Sequence, residues 1–246
     1  MSELIGFGLI LLASILLLVM TILKRKSPPT FRGIAALARL KRSAGLAVED
    51  GSRMHISLGR GSLLTQGGAA SFAGLALLRH LAEQTSLSDR PPIATSGDAT
   101  LAVLSQDTMR SAYRAATAEE LYKASNGRLS GLTPFSYAAG AKPNLRDEQV
   151  STNVLIGDFG PEIALLTDAA ERENALLVAG ASDPAAQAVI FASTTEPLVG
   201  EELFAAPAYI GKDTSQRASM QVQDILRWVV IAALLAGAGL KLVGVL

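Results

Sequence analysis

The chain has 246 residues, 49% of them hydrophobic, no cysteine, and 22 basic against 22 acidic side chains. The lack of cysteine excludes a disulfide framework, thiolate zinc sites and a cysteine nucleophile. A mean hydropathy of +0.33 at zero net charge fits one water-soluble domain with apolar ends, not a polytopic transporter.

Leu4 to Leu23 is a run of twenty residues without a charge, and Trp228 to Leu246 is broken only by Lys241. A hydrocarbon core about 30 Å thick needs about 20 helical residues, so 4–23 and 228–246 are predicted as two transmembrane helices. Seven cations follow the first run: Lys24, Arg25, Lys26, Arg32, Arg39, Lys41 and Arg42. Only Glu3 precedes it. Lys212, Arg217 and Arg227 precede the second run. Lys and Arg near a span favour the cytoplasmic side, so the expected topology has both termini outside and the central domain cytoplasmic, at an inner membrane. A cleaved signal peptide would want basic residues before the apolar run and small residues after it. Met-Ser-Glu-Leu and Lys24-Arg25-Lys26 reverse that order, so the first run reads as an uncleaved anchor.

Residues 24–50 form a basic juxtamembrane segment. Pro28-Pro29 interrupts any helix leaving the span. Beyond it Ile34, Leu37 and Leu40 line one side of an amphipathic stretch flanked by Arg32, Arg39, Lys41 and Arg42. Two readings stand open. The stretch lies on the bilayer with its cations on anionic head groups, or it packs on its own domain.

From 51 to 210 the pattern alternates between strands and helices. Met54 to Leu58 reads as a strand, with Ser62 to Thr65 continuing it or forming a second. Ala69 to Glu83 has the helical spacing of Phe72, Leu75, Leu78 and Leu81. Pro92 to Thr95 is a strand, Ser96-Gly97-Asp98 a turn and cap, and Ala99 to Ala116 a helix. Glu119 to Ala124 reads as a further turn, and Asn126 to Asn144 as a hairpin or ordered excursion. Val154 to Gly157 is a strand, and Pro161 to Arg172 a helix with proline first. Ala175 to Ala179 is a strand, and Ser182-Asp183-Pro184 caps Ala185 to Ser193. Gly200 to Ser219 is a linker or helix, with 211–227 expected to lead into the second span. Short apolar strands between helices predict an α/β fold, a single Rossmann-like domain on a mostly parallel sheet.

Three expected strands end in small residues and a carboxylate: Gly97-Asp98, Gly157-Asp158 and Ser182-Asp183. In open parallel sheets that edge is where ligands bind, and helix amino termini receive anions. These six residues are therefore the candidates for a cofactor or ligand site. Helix capping explains Asp98 and Asp183 equally well.

Little else points to chemistry. No Walker pattern occurs, and Gly59-Arg60-Gly61 and Gly67-Gly68 are only fragments of phosphate loops. His55 and His80 are too far apart to pair on a metal. Glu119-Glu120, Asp147-Glu148 and Glu201-Glu202 are adjacent pairs whose side chains diverge on a helix. No catalytic residue, cofactor or metal is assigned. Nucleic acid is a poor partner, since the basic run lies beside a span and carries no interleaved aromatics. Between Asp147 and Glu202 there are eleven acidic residues against Arg172 alone. A basic collar and an acidic later half suit head-to-tail contact between copies. In the second span Ala232/Ala236 and Ala233/Gly237 set small residues four apart, a spacing that lets helices approach closely.

In layout the chain resembles bacterial membrane-anchored proteins, a resemblance that assigns no site residue. The expected function is a membrane-anchored, non-enzymatic scaffold or assembly protein that self-associates. The alternative is a membrane-tethered sensor that binds a ligand or nucleotide.

Overall fold

The computed structural model describes residues 2–23, 31–62, 67–211 and 213–242. Lys24, Arg25, Lys26, Lys212 and most of the stretch expected to extend the first strand lie outside them. In chain order the helices are α1 (Ser2–Leu23), α2 (Ala35–Glu49), α3 (Gly68–Thr85), α4 (Ala99–Ala115), α5 (Pro134–Ala141), α6 (Pro143–Asp147), α7 (Ile163–Arg172), α8 (Pro184–Ser193), α9 (Glu202–Ile210) and α10 (Thr214–Leu242). The strands are β1 (Arg53–Gly59), β2 (Ile93–Ser96), β3 (Gly127–Leu129), β4 (Val150–Asp158) and β5 (Leu176–Ala181). Two compact units result: Gly33–Gly211, and a second built from both ends of the chain.

The first unit is the expected α/β fold on a parallel sheet, ordered β3-β2-β1-β4-β5. The chain steps outward from β1 to β3, then returns to the centre and steps the other way. The order therefore reverses between β1 and β4. Side chains alternate across a strand, which sorts the core into two layers. Met54, Ile56, Leu58, Val154 and Ile156 pack with Leu37 and Leu40 of α2, Leu78 of α3, Met109 of α4 and Leu203 of α9. Leu155 and Ala179 face the other way, onto Tyr137, Ile163, Leu166 and Ile190. A sheet covered on both sides buries both faces of its strands, which is why Leu-Leu-Val-Ala shows no polar alternation.

Several elements differ from the sequence expectation. Asn126 to Asn144 holds no hairpin. It contains the three-residue strand β3 and the short helices α5 and α6, opened by Pro134 and Pro143. Pro161 is not the first residue of its helix. Ile163 N–H donates to Gly160 O and Ala164 N–H to Pro161 O, so a tighter three-residue turn precedes α7. The apolar side of α2, Leu37, Leu40, Ala44 and Ala47, is buried in the core of its own domain. Its cations therefore lie on the outer side.

In the second unit α1 and α10 pack on each other. Both are long and apolar enough to cross a membrane, with windows of mean hydropathy 2.7 and 1.9. The hydroxyls of Ser14 and Thr21 donate to the carbonyls of Ile10 and Leu17 one turn back, at 2.8 and 2.7 Å. Each polar group is thereby satisfied within its own helix. Residues 214–227 continue α10 without a break.

Candidate functional site at the carboxyl edge of the sheet

A parallel sheet places all strand ends, and the amino termini of the helices that follow, along one edge. The reversal of strand order between β1 and β4 opens a crevice there, the usual ligand position of such folds. The chain is drawn tight at this point by glycines. A Cβ on Gly157 would overlap the Leu58 carbonyl, and one on Gly74 would overlap the Ile156 carbonyl. Gly59 has φ +74, and a Cβ there would stand 2.8 Å from the Asp158 carbonyl carbon. Ladder bonds continue past the strands: Arg60 N–H donates to Asp158 O and Gly97 N–H to Gly59 O, each at 2.8 Å.

Asp158 fills the crevice. Its carboxylate lies against Gly67, the residue that precedes α3, where a Cβ would stand 2.5 Å from Cγ of Asp158. The same side chain excludes a Cβ on Gly61. Ser182 Oγ donates to Asp158 Oδ1 at 2.9 Å. Helix amino termini favour negative charge. Here the chain's own carboxylate supplies it, in the position a bound phosphate takes in related architectures. Ser71, in the first turn of α3, donates its hydroxyl to Gly61 O and ties the loop after β1 to the helix.

Beside Asp158 stands a second charged group. Glu162 is buried, and its Oε1 accepts from Arg60 Nε and from Gly160 N–H, both at 3.0 Å. Gly97 lies under the Arg60 side chain, where a Cβ would stand 2.7 Å from Cγ. Asp98 and Asp183 turn to their own helices. Asp98 accepts from Leu101 N–H, and Asp183 from the N–H groups of Ala185 and Ala186. Of the six sequence candidates, Gly157, Asp158 and Ser182 form one cluster, while Asp98 and Asp183 serve as caps. Among the described residues no three His, Asp or Glu side chains gather as metal ligands.

Under this edge runs a buried polar chain. His55 Nδ1 lies 2.7 Å from Asn153 Oδ1, and Nε2 lies 2.8 Å from Thr95 Oγ1. An amide oxygen only accepts, so Nδ1 carries the proton and Thr95 donates to Nε2. Burial pushes the His55 pKa down to about 4, against a smaller upward effect of the Asn153 bond. The ring is therefore neutral near pH 7. The Tyr137 hydroxyl joins Ser57 to the same chain, and burial raises its pKa. At the other edge Glu148 bonds Arg53 and Arg128. Burial would raise Glu148, but the Arg128 bond and the two cationic charges outweigh it and hold the carboxyl below its ordinary range. These groups knit β1, β2, β3 and β4 together inside the fold.

The remaining sequence candidates lie elsewhere. Arg32, Arg39, Lys41 and Arg42 are exposed, with Arg39 Nη2 at 3.0 Å from Glu196 Oε1. In α10, Ala232, Ala233 and Ala236 are exposed, and nothing lies within 4 Å of the Cβ position of Gly237. Sequence reasoning missed Arg60, Glu162 and Ser71. The available signal was Gly59-Arg60-Gly61 at the end of a strand, which marked the loop but not its partners.

No curated protein and no solved structure matches the chain. One family model matches residues 2–246, and the chain therefore belongs to the family described as Domain of unknown function (DUF6754).

Proposed function

We propose that the chain is a membrane-anchored, non-enzymatic scaffold or assembly protein whose α/β domain self-associates. The observation that carries this reading is the occupied crevice. Where a parallel sheet ordinarily receives a ligand, Asp158 sits at the amino terminus of α3 and Glu162 is locked to Arg60. In this reading α1 and α10 cross the bilayer as a packed pair. The cations at 24–32 meet anionic head groups, and the charge bias keeps the domain cytoplasmic with both termini outside, at an inner membrane. The three cations of α2 belong to the domain. The test is co-expression of two differently tagged full-length copies and extraction in mild detergent. The tags are expected to co-purify; their complete separation would overturn the reading.

A second reading has one observation in its favour. The strand order reverses between β1 and β4 beside a glycine-rich loop, as in a Rossmann-like ligand- or nucleotide-binding sensor. A thermal-shift series with nucleotides on the full chain separates the two, because only the sensor gains stability from the ligand.

A further inference from the structure

We infer that the carboxyl edge of the sheet is a docking surface for a second copy of this chain, and that the second copy presents the outer face of α2. The inference rests on the self-associating reading and names the two surfaces involved. The edge carries large apolar side chains that the fold leaves uncovered: Phe72 in the first turn of α3 is 55% exposed, Leu132 before α5 is 68% and Phe135 within it is 66%. They follow the carboxyl ends of β1 and β3 along this edge: Phe72 is next to Ser71, which is tied to Gly61, and Leu132 is next to Gly131, whose carbonyl lies 3.1 Å from the Cβ position of Gly97. Single exposed apolar residues are ordinary; several on one edge mark an interaction site.

Charge decides the occupant. Arg60 is held by Glu162, which leaves Asp98, Asp158 and Asp183 on this edge with no cation paired to them among the described residues. An anionic ligand is repelled there, and a cationic surface with apolar side chains is attracted. The chain owns such a surface. The inner side of α2 is buried, and its outer side bears Lys41 and Arg42, neither paired among the described residues, together with exposed Leu46 and Val48. Cations oppose carboxylates and aliphatic side chains oppose aromatic ones. The two surfaces lie on different parts of one domain, so the contact is head-to-tail and adds copy after copy unless it closes into a ring.

The lack of cysteine makes the test clean. Full-length chains carrying Lys41→Cys, Leu132→Cys or both are treated in their native membranes with a short bifunctional maleimide. Both substituted side chains project from the surface, so folding is spared. The double variant is expected to give cross-linked species of two and more copies and a mixture of the two single variants to give dimers, while each single variant alone gives none. Adding Arg42→Glu is expected to reduce the cross-link about tenfold by turning an attraction into a repulsion. Co-purifying tags without the mixed cross-link would overturn this interface and leave the scaffold reading standing. Separated tags would overturn both. A cross-link confined to Lys41→Cys alone would overturn the head-to-tail arrangement. A fluorophore on Lys41→Cys that becomes shielded by anionic lipid at single-copy dilution would assign the outer face of α2 to the bilayer instead.

Discussion

A Cβ on Gly67 would stand 2.5 Å from Cγ of Asp158, so the end of β4 and the start of α3 meet with room for a carboxylate and nothing more. Asp158→Ala removes both the charge and the atoms that fill this space. Inorganic pyrophosphate at millimolar concentration is expected to leave the melting temperature of the unaltered chain unchanged. In Asp158→Ala the helix terminus lacks its anion and the space that side chain filled is open, and the same addition is expected to raise it by a few degrees, about the effect of 1 kcal/mol of binding. A rise in the unaltered chain would favour the sensor.

The glycines of the crevice and the glycine of α2 should respond in opposite directions. Gly157→Ala and Gly74→Ala drive a methyl into the backbone carbonyls of Leu58 and Ile156, which cannot swing aside. Each is expected to cost about 3 kcal/mol or more, the upper end of overpacking effects. Gly45 lies inside α2 with nothing within 4 Å of its Cβ position. Gly45→Ala is expected to stabilise by about 0.5–1 kcal/mol, because alanine orders a helix at lower entropic cost. Denaturant titration of the full chain in detergent measures all three.

His55 gives the fold a pH dependence of defined sign. Its pKa falls from the ordinary 6.5 to about 4 in the folded chain, first because it is buried. Above pH 6.5 the ring is neutral folded or unfolded, and its contribution is fully present. As pH falls toward 4 the unfolded chain takes up a proton that the folded chain refuses, so stability declines across that window. The loss is about 3 kcal/mol at most by proton linkage. In His55→Gln the stability is lower throughout and this slope between pH 6.5 and 4.5 is expected to vanish, as read by urea midpoints at half-unit steps.

Arg60→Ala leaves Glu162 buried with Gly160 N–H as its remaining partner at 3.0 Å. An uncompensated buried charge is expensive, and the partial exposure of Arg60 moderates the effect, so a loss of about 2 kcal/mol is expected. Arg60→Ala combined with Glu162→Gln removes both charges and should recover most of that loss. The comparison of single and double variants by thermal melting isolates the pair.

The two long apolar helices and the βα rhythm were legible because each rests on a local pattern: twenty uncharged residues at 4–23, or Phe72, Leu75, Leu78 and Leu81 at helical spacing. β3 was not. Gly-Arg-Leu is too short to show a period, and it is a strand because it extends a sheet already formed by β2. The start of α7 was misplaced because Pro161 suits a first helical turn and a tight turn alike. Arg60 and Glu162 pair across 102 positions, and His55 and Asn153 across 98; no local signal connects such distances. Asp158 shows the same limit. Its motif drew attention to the strand end, but only the fold reveals that the carboxylate faces Gly67 rather than a ligand.

The mass of the full chain, extracted from native membranes into lipid-bearing polymer particles and measured over a dilution series, tests self-association most directly. A scaffold that assembles through its domain gives two or more copies per particle at the higher concentrations, with larger species falling away on dilution. A single copy per particle at every concentration would contradict it.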